Sequence, residues 1–382
     1  QEKMGGSRYV LEPNIKEGKG GLRDLHTLSW ISKYTSVLKK TENQDYLNSF
    51  SWQYEKNRFD RAKIFFWSVR CHLHFINNKD NNLLTFDAQQ EVAKSLGYKN
   101  RKYSLAVERF MKKYYLTVRD VGNLTRLFCS ELNQKYSRKD VFPSLTFQNL
   151  WKKSPFELEG GLVVLNKNGQ DRDLITKNPE IIIKIFKYAQ LKNLDIHPLS
   201  LKEIWLKKNL ITKKVIQKSK IGEHFLDVML SKNNAENHLK LLSEFGVLGQ
   251  ICIDFKRIVS QMQFDMYHSY TVDEHTLRAI GFLHKIEDGK LKDIAPVASK
   301  IILEIQSRKT LFLSAFLHDI GKGRGGDHSI IGENVARKFC KLINLEEEET
   351  ENIAWLVRNH LLMSKIAFNY DISEPKTILD FT

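Results

Sequence analysis

The chain has 382 residues, 42% apolar and 27% charged, enough for two or three ordinary globular domains and unlike a disordered tail. Its formal charge is +15, unevenly spread: Gln261 to Thr382 carry 15 Lys+Arg against 18 Asp+Glu, which leaves +18 on the first 260 residues. Leu311 to Leu317 is far too short an apolar run to span a bilayer, and the polar Gln1–Ser7 lacks the apolar centre of a signal peptide. A basic stretch attracts nucleotides, nucleic acid or an acidic protein, although lysine-rich solvated helix faces account for it equally simply. Cys71, Cys129, Cys252 and Cys340 are scattered with no CxxC pair, so they read as free thiols in a reducing cytoplasm. Aromatic residues are common but form no stacking platform in the sequence.

In chain order, Arg8–Asn14 reads as a short strand, and Lys16-Glu17-Gly18-Lys19-Gly20-Gly21 as a flexible loop. Leu22, Leu25, Leu28 and Ile31 then share one helical face. Helices are predicted over Arg61–Phe75 and Val107–Leu127. Between them another helix starts near Leu84–Glu91, with Asp87 as a candidate cap. Composition breaks near Val141-Phe142-Pro143. Phe156–Leu165 reads as a hairpin turning on Gly160-Gly161. Asn178-Pro179-Glu180 opens a helix, with asparagine as N-cap and proline at the first position. Short lysine-rich helices follow to about Phe255. From about Arg257 the pattern is helical again. Thr271-Val272-Asp273-Glu274 forms a capping box ahead of a helix carrying His275. Leu345–Leu361 is a further helix, with Glu346–Glu349 suited to the positive end of its dipole. The expected fold class is mainly α, with one small β-hairpin in a linker region.

The chemistry concentrates near the end of the chain. Leu317-His318-Asp319-Ile320-Gly321-Lys322 sets a histidine beside an aspartate after an apolar helical run. His275, His318, Asp319, His328 and His360 fall within 86 residues. A lone histidine on a helix is usually a satisfied core or surface residue, and His26, His72, His74, His197, His224, His238, His268 and His284 are read that way. Burying the 318–319 pair beside Leu317 and Ile320 without a ligand is costly, so a shared divalent cation is expected there. Imidazole with carboxylate suits Mn²⁺, Fe²⁺ or Zn²⁺, and the harder Mg²⁺ less well. Such an ion polarises a phosphoryl oxygen and makes water more acidic, the chemistry of a metal-dependent phosphohydrolase. Lys322 would neutralise phosphate charge, and Gly321 and Gly323 would let the backbone come close.

Three motifs carry a family resemblance. Leu11-Glu12-Pro13-Asn14-Ile15-Lys16-Glu17-Gly18-Lys19-Gly20-Gly21-Leu22-Arg23-Asp24, Gln263–Thr276 and Trp355–Ser364 together resemble the bacterial PII uridylyltransferase/uridylyl-removing enzymes. The histidine–aspartate (HD) motif alone is shared by many phosphohydrolases. The resemblance implies two activities: transfer of UMP from UTP to a tyrosine of the PII signalling protein, and hydrolytic removal at the HD site. It implies His275, His318 and Asp319 as metal ligands, with His328 and His360 completing a two-metal version; the residues' own chemistry makes Asp319 and Lys322 the candidates for catalysis. Glu12, Asn14, Lys16, Gly20, Gly21, Arg23 and Asp24 are implied to be transferase-associated. A role confined to supporting the local structure is the alternative for that segment.

The implied division is residues 1–30 as the end of a nucleotidyltransferase domain, 31–142 helical, 143–256 a linker region with the hairpin, and 257–382 an all-α HD domain. The chain lacks an initiator methionine, the Gly-Ser and paired aspartates of the transferase, and the glutamine-sensing ACT domains of the family. It is therefore expected to be an internal piece. The last aspartate ligand of an HD site is not in its expected context at Asp371 or Asp380. Rival readings are an HD phosphohydrolase acting on nucleotides or tRNA ends, and a PII-binding scaffold without catalysis. Neither a membrane nor nucleic acid is the partner implied.

Overall fold

The computed structural model describes residues 8–38, 53–136, 154–166, 173–264, 270–371 and 373–381. The composition break at 141–143 and His268 lie outside them. The chain divides into two compact units, residues 1–208 with 259–274, and residues 209–258 with 275–382. As the patterning predicts, the architecture is mainly α with one small sheet. Among the described residues no helix is long and apolar enough to cross a membrane.

The first unit is built on α1 (Leu22–Leu38), α2 (Gln53–Asn77), α3 (Phe86–Ser95) and α4 (Ala106–Tyr136). Phe59, Ala62, Phe66, Val69 and Leu73 recur at three- and four-residue spacing on α2. They are buried with Phe110, Met111, Tyr114, Val118 and Val121 of α4 and with Leu22, Leu25 and Leu28 of α1. Phe66 and Tyr114 meet edge to face at 5.7 Å.

Arg8–Asn14 is not the strand predicted. It makes isolated bridges, Val10 with Tyr270 and Asn14 with Leu83. Side chains take its carbonyls instead: the Tyr115 hydroxyl donates to Val10 O, and the buried Gln89 amide to Leu11 O. Pro13 has no N–H to extend a ladder. Asp87 is not the cap of α3 either. Thr85, two residues earlier, has extended backbone and accepts the Ala88 N–H, which leaves Asp87 in the first turn.

The hairpin forms as predicted, β1 (Phe156–Glu159) antiparallel to β2 (Leu162–Leu165). A two-residue strand, β3 (Asp195–Ile196), adds in parallel to β2. Strand pairing over two residues leaves no periodicity to read in a sequence. Three helices complete this unit: α5 (Leu174–Lys177), α6 (Ile181–Lys192) and α7 (Pro198–Lys207). Asn178 is not the N-cap of α6. It closes α5 and accepts the Glu180 N–H in a turn, so α6 starts at Ile181. The pairing of a capping side chain with proline at the first position occurs at α7, with His197 and Pro198.

The second unit begins with short helices: α8 (Lys213–Lys218), α9 (Ile221–Leu230), α10 (Ala235–Glu244), α11 (Leu248–Ile251) and α12 (Phe255–Ile258). α13 (Val272–Glu287) follows, starting where the capping pattern places it. Then come α14 (Pro296–Ile301), α15 (Arg308–Leu317), α16 (His328–Leu342), α17 (Glu347–Asn359), α18 (Leu362–Asn369) and α19 (Pro375–Phe381). Phe312, Leu313, Phe316 and Leu317 bury α15 at the centre of this unit. Phe316 stacks on Phe255 at 5.2 Å and meets Phe225 edge to face at 5.3 Å. This packing fixes the end of α15, where the histidine–aspartate pair stands.

Candidate metal centre

His318 is the residue that closes α15, and His360 the one that closes α17. A helix C-terminus leaves carbonyl groups without intrahelical donors. Each histidine folds back onto one of them: His318 Nδ1 lies 2.7 Å from Ala315 O, and His360 Nδ1 lies 2.8 Å from Val357 O. A carbonyl only accepts, so each Nδ1 carries a proton and each Nε2 points outward. This second bond of the ring sets tautomer and direction, as in metal-binding histidines generally. His328 is the first residue of α16, placed by Asp327, which caps that helix through the Ser329 N–H at 2.8 Å. His275 lies in the first turn of α13.

These rings converge on Asp319, which is 3% exposed, between the fully buried Leu317 and Ile320. Its Oδ2 lies 3.1 Å from His318 Nε2 and 3.8 Å from His275 Nε2. Its Oδ1 lies 3.9 Å from His328 Nε2 and 3.8 Å from His360 Nε2. His275 Nε2 and His318 Nε2 approach to 3.2 Å. Successive ring centroids, His275–His318, His318–His360 and His328–His360, are 5.3, 5.3 and 5.4 Å apart. Two ligand triads result, His275–His318–Asp319 and Asp319–His328–His360, joined by one carboxylate.

The electrostatics suit a cation. Burial alone would raise the Asp319 pKa, but the hydrogen bond and charge of His318 and the Lys322 ammonium outweigh it and hold the carboxyl far below its usual range. Burial lowers the pKa values of His328 and His360, so both rings are neutral at pH 7. Their Nε2 atoms are buried and have no hydrogen-bond partner in the structure. Such nitrogens are costly unless a ligand takes the lone pair. Their distances from Oδ1 match donors that share one ion through bonds of about 2.1 Å. By this test the residues fit a bound divalent cation.

The loop from Gly321 to Asp327 decides the spacing. A Cβ on Gly321 would sit 2.1 Å from His328 O, so glycine lets the loop lie against the start of α16. The close backbone approach expected of this glycine is an approach to the start of α16. Gly332 plays a similar part, since a Cβ there would be 2.9 Å from a Val357 methyl across the α16–α17 contact. Arg324 holds the loop by pairing with Asp254 at 2.5 Å. Neither Gly332 nor Arg324 was singled out from the sequence; a long cation among four loop glycines was the available signal. Lys322 places its ammonium 2.9 Å from Asp319 Oδ2. Asp371 is exposed, accepts the Ser373 N–H and belongs to neither triad. The side chain of Asp380 lies outside the described ones.

The transferase-associated residues lie in the first unit and serve one another. Glu12 accepts the Phe86 N–H at the start of α3. Asn14 accepts the Lys16 and Glu17 N–H groups, and Lys16 O accepts from Arg23 N. Asp24 accepts the Gly20 N–H at 2.6 Å, Gly21 N donates to Gly18 O, and Arg23 pairs with Glu17. Gly20 has φ +82° and abuts Val118 O of α4, where a side chain would not fit. Of the histidines read as ordinary, His197 caps α7, and His284 packs on Phe312 with Nε2 3.0 Å from Met229 O.

A four-histidine, one-aspartate cluster on an all-α frame defines an HD domain of the metal-dependent hydrolase class. Residues 259–380 match the HD domain profile; residues 1–129 match the profile described as GlnD PII-uridylyltransferase, and 166–251 match the uridylyltransferase GlnD third domain. The chain is 45% identical over its whole length to the bifunctional uridylyltransferase/uridylyl-removing enzyme of Rhodospirillum rubrum, covering 40% of that protein. It is 43% identical to the protein of the same name from Novosphingobium aromaticivorans, with 100% and 41% of the two chains covered. For the Azospirillum brasilense protein the identity is 42%, with 99% and 40% covered. The chain thus spans about 40% of the length of these relatives. It belongs to the family of bifunctional uridylyltransferase/uridylyl-removing enzymes.

Proposed function

We propose that the second unit is the uridylyl-removing site of a bifunctional enzyme that attaches UMP from UTP to PII and takes it off again. The supporting observation is the single buried carboxylate whose two oxygens are each flanked by two imidazole nitrogens. On this reading His275, His318 and Asp319 hold one cation, and Asp319, His328 and His360 hold another. The nitrogen-rich set favours Mn²⁺, Fe²⁺ or Zn²⁺ over Mg²⁺. When bound, the cation supplies Lewis acidity to a phosphoryl oxygen and to water.

The chain's own residues do the rest. His318 and His360, fixed through Nδ1, keep their lone pairs directed without reorganisation at the moment of reaction. Asp319 stays ionised at any physiological pH. Lys322 offers positive charge beside it, to the carboxylate and to the non-bridging oxygens of a phosphodiester. The side chain of His275 is 47% exposed and marks the open side of the cluster, where the uridylyl-tyrosine would enter. The Glu12–Asp24 segment would brace the transferase domain, its polar groups being used to lock loop, α1 and α3 together. The free cysteines fit a cytoplasmic setting.

The test is metal content and hydrolysis. The purified chain should hold a stoichiometric transition metal and release UMP from uridylylated PII, and His318→Ala should lower the metal content and abolish the release. Hydrolysis that persists in that variant, or a protein with no ion, would refute the assignment.

A further inference from the structure

The connection between α3 and α4, residues 96–105, is basic. From 94 to 109 the chain carries Lys94, Lys99, Arg101, Lys102 and Arg109 against the single carboxylate of Glu108. The connection is also tightly built. α3 closes on Gly97 at φ +75°, with the Gly97 N–H donating to Lys94 O and the Tyr98 N–H to Ala93 O, each at 3.0 Å. Arg101 and Ser104 exchange backbone hydrogen bonds of 2.9 and 3.2 Å. The Asn100 side-chain oxygen accepts the Ala106 N–H at 2.7 Å, and Glu108 accepts the Leu105 N–H at 2.9 Å. Arg109 Nη1 donates to Lys99 O at 2.6 Å, and the Tyr98 ring meets Phe110 edge to face at 5.6 Å.

This folding leaves a cleft of about 410 Å³ lined by Leu96, Tyr98, Lys99, Asn100, Arg101 and Arg109. Its size falls in the range of small-molecule sites, about 300–1,000 Å³. Among the described residues no carboxylate pairs with Lys99, Arg101 or Arg109, so three positive charges line one concavity without being neutralised from within. Charges of one sign in a cleft focus their field and draw in a counter-ion. The bond to Lys99 O holds the planar Arg109 group in place and leaves its other N–H groups for the forked bonds that phosphate oxygens accept. The first backbone donors of α4 are already used by Asn100 and Glu108, so side chains, not the helix end, would hold the anion. The space at Gly97 is open, since a Cβ there would meet nothing within 4 Å.

We propose that this cleft binds a polyphosphate anion, free or carried by a nucleotide. Three cations exceed the charge of one phosphate monoester, about −1.5 to −2 at pH 7, which favours a di- or triphosphate. No residue of the metal centre and none of Glu12–Asp24 lines the cleft, so the site is additional to the functional reading above and does not rest on it.

The test is isothermal titration calorimetry of the full 382-residue chain with pyrophosphate and, separately, with ADP, in buffer free of divalent metal. Lys99 and Arg101 are exposed, so Lys99→Glu and Arg101→Glu should fold, and unaltered thermal midpoints establish that they do. The wild type should bind at least one probe saturably. Each substitution should weaken that binding about tenfold or more, and added salt should weaken it in the wild type. ADP binding tighter than pyrophosphate supports the site with a nucleotide as its ligand; equal affinity for the two supports it with free polyphosphate. A wild type that neither probe saturates at millimolar concentration overturns the proposal, as does equal affinity of wild type and both variants. Either failure leaves the functional reading of the histidine cluster untouched.

Discussion

The Glu12–Asp24 segment and the histidine cluster are equally dense in polar residues, yet the structure uses them in opposite ways. In the segment the polar groups find partners within a few residues or on α3: Asn14 caps a turn, Asp24 takes the Gly20 N–H, and Glu12 takes the Phe86 N–H. In the cluster the His328 and His360 Nε2 atoms are buried, directed at one carboxylate and too far from it to hydrogen-bond. A polar group that the chain itself satisfies is paid for by folding. Two left unsatisfied beside the same buried carboxylate, with two further imidazoles on its other oxygen, suit a shared ligand. The contrast is between polar groups that the chain itself satisfies and polar groups arranged as a cation would need them.

The sharpest way to break that contrast is Asp319→Ala. Both triads share this carboxylate, so metal content should fall to zero and hydrolysis by on the order of 10³-fold, several kcal/mol of lost transition-state stabilisation. Retention of one ion, read by elemental analysis, would show that the triads are independent. Gly321→Ala comes next: its methyl would force His328 O away, so metal affinity should drop about 10- to 100-fold, measured by competition with a chelator. On the scaffold side, Asp24→Ala should cost about 1 kcal/mol of stability in the first unit, seen as a lower thermal midpoint, with phosphodiester hydrolysis unchanged.

The mildest effect is with pH. His328 and His360 have folded pKa values below the ordinary 6.5, so protons do not displace the metal between pH 7 and 6.5. Below 6.5 the unfolded chain takes up protons that the folded rings refuse, and stability falls with pH from there. The metal should leave as pH drops through the folded values. Loss of metal already complete at pH 7 would contradict this.

The sequence determined the local facts of this protein. Three- and four-residue apolar spacing places α1, α2 and α4, paired glycines place the hairpin, and the Thr271–Glu274 pattern marks where α13 begins, because each depends on neighbours in the chain. The identities of the five clustered residues were legible as well. Only the tertiary structure decided that Asp319 stands between two pairs of rings and that Gly321 and Gly332 serve helix approach. Each of these is a distance between segments far apart in the chain, set by how buried side chains such as Phe316 and Phe66 fill the interior. No periodicity along the backbone encodes such a distance.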